Sequence, residues 1–305
     1  MIKPKLIQQF IVEPGSDVNL KKYVTDWTET EEAQELGKDA IKERAAEILA
    51  ESRKQLDAAQ ELLYASDTHS VLLIFQAMDA AGKDGTIRHV MSGVNPQGCQ
   101  VFSFKKPSAE ELDHNFLWRY MKALPERGRI GIFNRSYYED VLVVKVHPEW
   151  LGPGQPAKPD GKFWQQRYED INNFEKHLAR NGTLVLKFFL HLSKGEQKKR
   201  FLERLNNPEK HWKFSGADMA EREHWKDYQK AFEEALGATS TKRAPWYVIP
   251  ADRKYVARAL VADIVVTAIQ DLKLEFPKVS EETMTRLDVA RVQLEGKSNE
   301  GKPEA

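Results

Sequence analysis

Cysteine is nearly absent: Cys99 stands alone among 305 residues. That excludes an internal disulfide and any thiolate-cage metal site, and the lone side chain reads as a small buried apolar residue rather than a reactive thiol. Net charge is missing as well, since lysine plus arginine and aspartate plus glutamate both number 46. Whole-molecule electrostatics gives no pull toward nucleic acid or a membrane surface, so any anion site must come from local clustering. No apolar run approaches the roughly 20 residues that span a bilayer, and the opening MIKPKLIQQF lacks the apolar core of a signal peptide. The default expectation is a cytoplasmic protein with neither a nucleic-acid nor a membrane partner. The histidines show no HExxH or related spacing, which argues against zinc.

What is present is organised around Val71 to Arg88, VLLIFQAMDAAGKDGTIR. The run Val71 to Phe75 reads as a strand buried on both faces, which empties into small residues and two glycines before a helix resumes at Asp84. Strand, Gly-rich turn and helix make a phosphate cradle: backbone N–H groups of the turn and helix start converge, and Lys83 adds a mobile cation. Ala81, Gly82, Gly85 and Thr86 are the cradle residues, with Arg88 a further cation. Against the P-loop pattern GxxxxGK[ST], Ala77 replaces the first glycine and Asp84 the magnesium-binding hydroxyl, while Thr86 lies too far along to substitute. Asp79 is a carboxylate where an anion should bind, so it needs a reason: magnesium, with manganese as a substitute, or the orientation of an attacking oxygen.

Along the chain, residues 1–28 read as an extended arm laid on the body, and Glu29 to Ala65 as one long helix with a single apolar stripe. That stripe makes a homo-oligomer, a dimer or tetramer, a reasonable expectation beside simple core cover. Strands are predicted at 99–104, 130–133, 183–192 and 245–250. Helices are predicted from Ser108, with Glu111 completing a capping box, to about Ala123, then over 163–180, 194–205, 218 to about 236, and to about 274. His147 to Lys162 reads as a long loop. The alternation predicts an α/β fold, a doubly wound parallel sheet flanked by helices in one domain over 29–276. Beyond Pro277 a charged tail, ending GKSNEGKPEA, reads as disordered.

Two further constellations carry chemistry. Asn134 to Asp140, NRSYYED, sits at a strand end where open parallel sheets bind ligands. Asn134 is a neutral oxygen donor, Arg135 suits bidentate phosphate binding, and Glu139 or Asp140 would restore negative charge for a metal. Between Lys194 and Lys213, seven cations oppose three carboxylates. Its position after a strand is where P-loop phosphotransferases carry a lid, here about 194–236, and Arg204, Lys210 and Lys213 are its phosphate-facing candidates. Lys105 and Lys106 lengthen the basic track beyond what one triphosphate needs. Trp212, Trp225 and Trp246 read as core or lid packing rather than base-stacking platforms.

QAMDAAGKDGTIRHV, GVNPQG, IFNRSYYEDVLVVKVH, LKFFLHLSKGEQKKRFLERLNNPEKHWKFS and APWYVIPA together resemble the second family of polyphosphate kinases, in unbroken order from about Leu20 to Phe276. The pairing of AMDAAGKDG with NRSYYEDVLV is similar to its class III branch, which serves both AMP and ADP. It departs from the class I pattern of GRDAAGKGG with FDRSWYNRAG. The resemblance implies a thymidylate-kinase-like P-loop fold with a helical lid, a basic channel for polyphosphate, and adenine or also guanine nucleotides as partners. It places Asp79 on the loop aspartate that manages magnesium, Lys83 on the phosphate lysine, Arg135 on the second-motif arginine and Arg204 on a lid arginine. Asn134, Tyr137 and Glu139 fall on the nucleotide side, and Asp79, Glu139 and Asp140 form the candidate metal set. Residues alone leave open an ATP-dependent nucleoside monophosphate kinase and a non-catalytic nucleotide-binding regulator.

Overall fold

Five short apolar runs assemble into one sheet: β1 (Ser70–Gln76), β2 (Cys99–Ser103), β3 (Ile130–Asn134), β4 (Thr183–His191) and β5 (Trp246–Pro250). The computed structural model describes residues 2–213 and 215–296. Every pairing is parallel and the order is β2-β3-β1-β4-β5. All seven residues of β1 are buried, which is why its sequence is continuously apolar instead of alternating. The order reverses at β1, with β3 on one side and β4 on the other, and the crevice beyond that reversal is where a ligand fits.

The covering helices, in chain order, are α1 (Lys38–Ser66), α2 (Lys83–Val90), α3 (Gly161–Arg180), α4 (Lys194–Leu205), α5 (Gly216–Glu223), α6 (Trp225–Thr239) and α7 (Lys254–Gln270). The long α1 packs along α7, and Leu56 and Leu63 meet Val71, Leu73 and Phe75 on one sheet face. On the other face Ile171 and Leu178 of α3, with Phe232 and Leu236 of α6, meet Leu72, Ile74 and Phe189. The pleat alternates β1 between two cores, so truncating Leu72 to alanine would cost about 2–5 kcal/mol on the second face alone.

Several expected elements differ. The helix over 29–65 is broken: Glu31–Leu36 ends at Gly37, whose φ of +80° and ψ of 148° admit little but glycine, and α1 begins one residue later. The helix from Ser108 forms its capping box but stops at Leu112. Asn115 then accepts from Leu117 N at 3.1 Å and a second short helix, Trp118–Met121, follows. The 218–236 helix divides at His224 into α5 and α6. Because Tyr228, Ala231, Phe232, Ala235 and Leu236 of α6 are buried in the core, the segment able to act as a lid is shorter than 194–236.

The N-terminal segment is more than extended chain. After a short helix, Pro4–Gln8, Val12 N donates to Trp246 O at 2.9 Å and Val248 N to Phe10 O at 2.7 Å, an antiparallel addition to the outer edge of β5. The loop reading of 147–162 is interrupted only by one turn, Pro148–Trp150, before Asp160 caps α3 by accepting from Phe163 N at 2.8 Å. Cys99 packs half-buried against the first core, and burial pushes its thiol up to about 11, which keeps it protonated.

Residues Glu275–Ala305 form a second unit. Its described part corrects the expectation of disorder, because Glu281–Gly296 is helical, α8. Ser280 Oγ accepts from Thr283 N at 3.2 Å to start it, and Arg286 pairs with Glu282 one turn away, so local capping and i,i+4 charge suffice. The GKSNEGKPEA segment from residue 297 on lies outside the described residues.

Candidate active site

After Gln76 the chain turns through Ala80, at φ +62°, and Gly82, at φ +100°, before α2 starts at Lys83. A left-handed alanine costs roughly 1–2 kcal/mol, and Arg135 across the crevice is left-handed too, at φ +65°. Such strain persists only where neighbours over-determine it. Here α4 does so. Gln197 Nε2 donates to Asp79 O at 2.9 Å, while the buried Arg200 donates to Ala80 O at 3.1 Å and Ala81 O at 2.8 Å. Its other terminal nitrogen reaches Ala251 O at 2.6 Å and Asp252 O at 3.2 Å, and Nε reaches Glu196 at 2.9 Å. One guanidinium thus ties the phosphate loop, α4 and the chain after β5 together.

Above that floor, β1 and β3 bring their motifs together. Arg135 pairs with Asp79 at 3.2 Å, and Asn134 Nδ2 donates to Asp84 at 2.6 Å. A carboxylate only accepts, so Asn134 turns its amide nitrogen toward Asp84 and keeps its amide oxygen for another partner. Lys83 Nζ donates to Ala77 O at 3.2 Å. Burial lowers the lysine pKa, Arg135 lowers it further, and Asp79, Glu139 and Asp84 pull it back. Arg135 is raised above its ordinary value, first by Glu139 and also by Asp79.

These groups line a cavity of about 730 Å³. Of the residues singled out in the sequence, Asp79, Ala81, Gly82, Lys83, Asp84, Gly85, Thr86 and Arg88 form its loop wall. Lys105, Asn134, Arg135, Arg204 and Lys210 complete it from the other elements. Arg204 pairs with Asp218 of α5 at 3.4 Å, and burial and the nearby Asp79 raise the Asp218 carboxyl.

Four expected residues do not line it. Tyr137 is fully buried and its hydroxyl donates to Glu175 at 2.9 Å, so it belongs to the core and not to the nucleotide side. Asp140 interacts with Arg167, Arg119 and Tyr120, where burial pushes its carboxyl up to about 7, and it does not line the cavity with Asp79. Glu139 lies behind the wall: burial raises its carboxyl, while Arg135 and Lys83 lower it, which makes it their counter-charge. Lys106 is exposed outside the cavity, and the side chain of Lys213 lies outside the described residues.

The structure adds groups the sequence reading passed over. Arg200, Glu203 and Asp218 line the side formed by α4 and α5, and Lys254 and Arg258 of α7 line the far wall. Burial lowers both α7 cations, with Arg200 crowding Lys254 and Arg88, Arg53 and Arg200 crowding Arg258. A legible signal existed: a cation in the first turn of a helix opposes its dipole, so Lys254, just after a strand, asks for an anion, and Arg258 one turn on lies on the same face. Among the described residues nine basic side chains, one of them the protein-bound Arg200, line the cavity with four carboxylates, an excess of positive charge suited to a polyanion. Among the described residues no three His, Cys, Asp or Glu side chains converge as a protein-only metal cage. A hard divalent ion here would therefore complete its shell with substrate oxygens and water, as magnesium does.

A glycine-lysine phosphate loop, an acidic residue within it, an arginine-bearing helix across the cavity and a parallel sheet ordered 2-3-1-4-5 define a P-loop phosphotransferase. Residues 39–277 match the family described as Polyphosphate kinase 2 (PPK2), and the chain belongs to that family. It is 52% identical over 292 residues, 94% of this chain and 98% of the relative, to an ADP-polyphosphate phosphotransferase of Rhodopseudomonas palustris. It is 47% identical, over 89% of this chain and 96% of the relative, to an AMP/ADP-polyphosphate phosphotransferase of Meiothermus ruber. Among solved structures it resembles polyphosphate kinase 2 from Arthrobacter aurescens TC1, with a TM-score of 0.81 and 38% identity over 93% of this chain and 96% of that one.

Proposed function

We propose that this chain transfers the terminal phosphoryl group of inorganic polyphosphate to AMP and ADP, reversibly, at the cavity between the phosphate loop and α4. The observation that carries the reading is the excess of basic over acidic side chains on one continuous wall running from Lys83 past Arg88 to Lys254 and Arg258. A polyanion longer than a triphosphate fits that charge. Polyphosphate lies along this wall, and the nucleotide phosphate enters on the Asn134 and Arg135 side. The oxygen of the acceptor phosphate attacks the terminal phosphorus, the bridging P–O bond breaks, and the shortened chain leaves as the anion.

Little covalent chemistry falls to the protein; positioning and charge neutralisation carry the rate. Lys83 neutralises oxygens at the transferred group, and because burial lowers its pKa, a polyanion beside it favours its charged form. Arg135, held by Asp79 and Glu139, orients the acceptor. Arg204 exchanges Asp218 for phosphate oxygens. Asp79, with Asp84 and the amide oxygen of Asn134 close by, supplies the hard donors that would hold magnesium or manganese. Such an ion, when bound, neutralises charge on the oxygens between donor and acceptor.

The test incubates AMP or ADP with a divalent ion and long-chain polyphosphate, without ATP, and separates the products. ADP or ATP supports the reading. No product in either direction overturns it, and product from ATP plus AMP alone would assign an ATP-dependent monophosphate kinase instead. Parallel runs with guanine nucleotides and with manganese set the breadth of acceptor and ion, and sedimentation of the purified chain distinguishes a monomer from the proposed dimer or tetramer.

A further inference from the structure

A buried ion pair stands outside the cavity wall: Lys187 of β4 meets Glu175 of α3 at 2.7 Å, their side chains 0% and 1% exposed. As a source of stability it is a poor choice, because well-packed apolar residues of similar volume often serve a core as well or better. Its connections show what else it does. Tyr137 and Tyr138 both donate their hydroxyls to the same oxygen, Glu175 Oε1, at 2.9 and 2.7 Å. Lys187 Nζ donates to Glu175 Oε2 at 2.7 Å, to the Tyr138 hydroxyl at 2.9 Å and to Thr239 O, at the end of α6, at 2.7 Å, so all three of its protons are used. Trp246 closes the network, its ring edge-on to Tyr138 at 4.7 Å and its Nε1 donating to Thr239 Oγ1 at 2.9 Å.

These partners converge on the turn that presents Arg135. The Arg135 backbone is left-handed, at φ +65°, and its N–H donates to Phe75 O at 3.1 Å. Ser136 Oγ then accepts from Tyr138 N and from Gln76 Nε2, both at 3.3 Å. Glu139, the counter-charge of Arg135, follows directly after the two tyrosines. The chain from Arg135 to Glu139 is therefore fixed from β1 through Ser136 and from α3 through Tyr137 and Tyr138. Without Glu175 the two hydroxyls lose their common anchor, and the strained Arg135 backbone can relax and carry its guanidinium out of line. Resting on the reading that the acceptor phosphate binds beside Arg135, we propose that Glu175, held by Lys187, is a positioning residue for transfer: it anchors Tyr137 and Tyr138 and thereby aims Arg135.

The experiment compares two double variants with wild type. Glu175→Leu with Lys187→Met makes the pair apolar and leaves both tyrosines without their acceptor. Glu175→Gln with Lys187→Met also removes both charges but keeps an oxygen for the hydroxyls. Steady-state kinetics are read beside calorimetric affinities for ADP and tripolyphosphate, with urea midpoints to establish that each chain is folded. The apolar variant is expected to lose roughly 10- to 100-fold in kcat, the scale of a misplacement of about 1 Å. It should bind ADP at least about fivefold more weakly, while tripolyphosphate, on the opposite wall, shifts less than about twofold. The amide variant should recover most of both losses. An apolar variant with wild-type kcat and ADP affinity overturns the proposal. Equal losses in the apolar and amide variants overturn it too, by making the pair purely structural, as do equal losses for ADP and tripolyphosphate. Should the apolar variant fail to fold, Tyr137→Phe with Tyr138→Phe deletes only the two hydroxyls and must show the same split, and unchanged kinetics there overturn the proposal. If wild type makes no product from polyphosphate, the assigned reaction fails, and the contrast between ADP and tripolyphosphate affinities across the variants still decides the positioning.

Discussion

Replacing Arg200 with methionine keeps an unbranched side chain of similar length and deletes only the guanidinium. Four carbonyls, of Ala80, Ala81, Ala251 and Asp252, and the Glu196 carboxylate lose their donor at once. Each hydrogen bond to a charged group is worth about 1.5–3 kcal/mol net, but removing the buried cation also removes its desolvation cost, so the terms do not add. Breaking a buried charge pair by deleting one partner costs about 3–5 kcal/mol, and that is the expected loss. Urea unfolding followed by fluorescence should show a lower midpoint with an unchanged slope. Activity, assayed well below the new midpoint, should fall as well, because Ala80 no longer has what holds its left-handed turn. Arg200→Lys keeps the charge but loses the fork, and should lie between the two. A methionine variant within about 1 kcal/mol of wild type would refute the clamp and reduce Arg200 to an ordinary surface-like charge.

Asp79→Asn and Lys83→Met should each abolish transfer with the unfolding midpoint little changed; retention of more than about a tenth of the rate, a barrier change under roughly 1.4 kcal/mol, counts against their roles. Arg204→Ala should lower kcat more than it raises the nucleotide KM, and the opposite split would make it a binding residue only. Asp140, pushed to about 7 against an ordinary 3.8, binds an extra proton in the folded state between those values. The stability this contributes is present at low pH and is lost as pH rises through 7. Asp140→Asn should therefore gain on wild type between pH 5 and pH 8 in denaturation midpoint, and a gap that ignores pH would refute the burial argument.

The phosphate loop, the parallel sheet implied by alternating strands and helices, and the capping box at Ser108 were legible because each is a local pattern. Misreadings came where long-range packing decides. Nothing local says that Tyr137, one residue past Ser136, rotates into the core while Arg135 turns out; that follows from the left-handed Arg135 and from Glu175, far along the chain, accepting its hydroxyl. Asp140 looked like a neighbour of the loop in sequence, but the 3-10 turn Tyr137–Val141 carries it around to Arg119 and Arg167. Arg200 appeared in the sequence as one more cation of a basic helix, and only its partners show that it binds protein carbonyls instead of phosphate. Gly37 was invisible as a break because one glycine inside a helix-forming stretch costs about 1 kcal/mol, which tertiary structure often absorbs.

The antiparallel pairing of the arm with β5 bears on how the molecule stays apart from its neighbours. β5 is largely apolar and buried, WYVIP, and its outer backbone is occupied by Phe10 and Val12. Without the arm, those amides and carbonyls would form a free sheet edge of the kind that recruits strands from other molecules. Residues 10–12 thus act as a built-in blocking strand, and trimming the arm should surface first as light scattering that climbs with protein concentration while the phosphate loop stays intact. Full-length and trimmed chains that scatter alike would show that the edge is protected by something else.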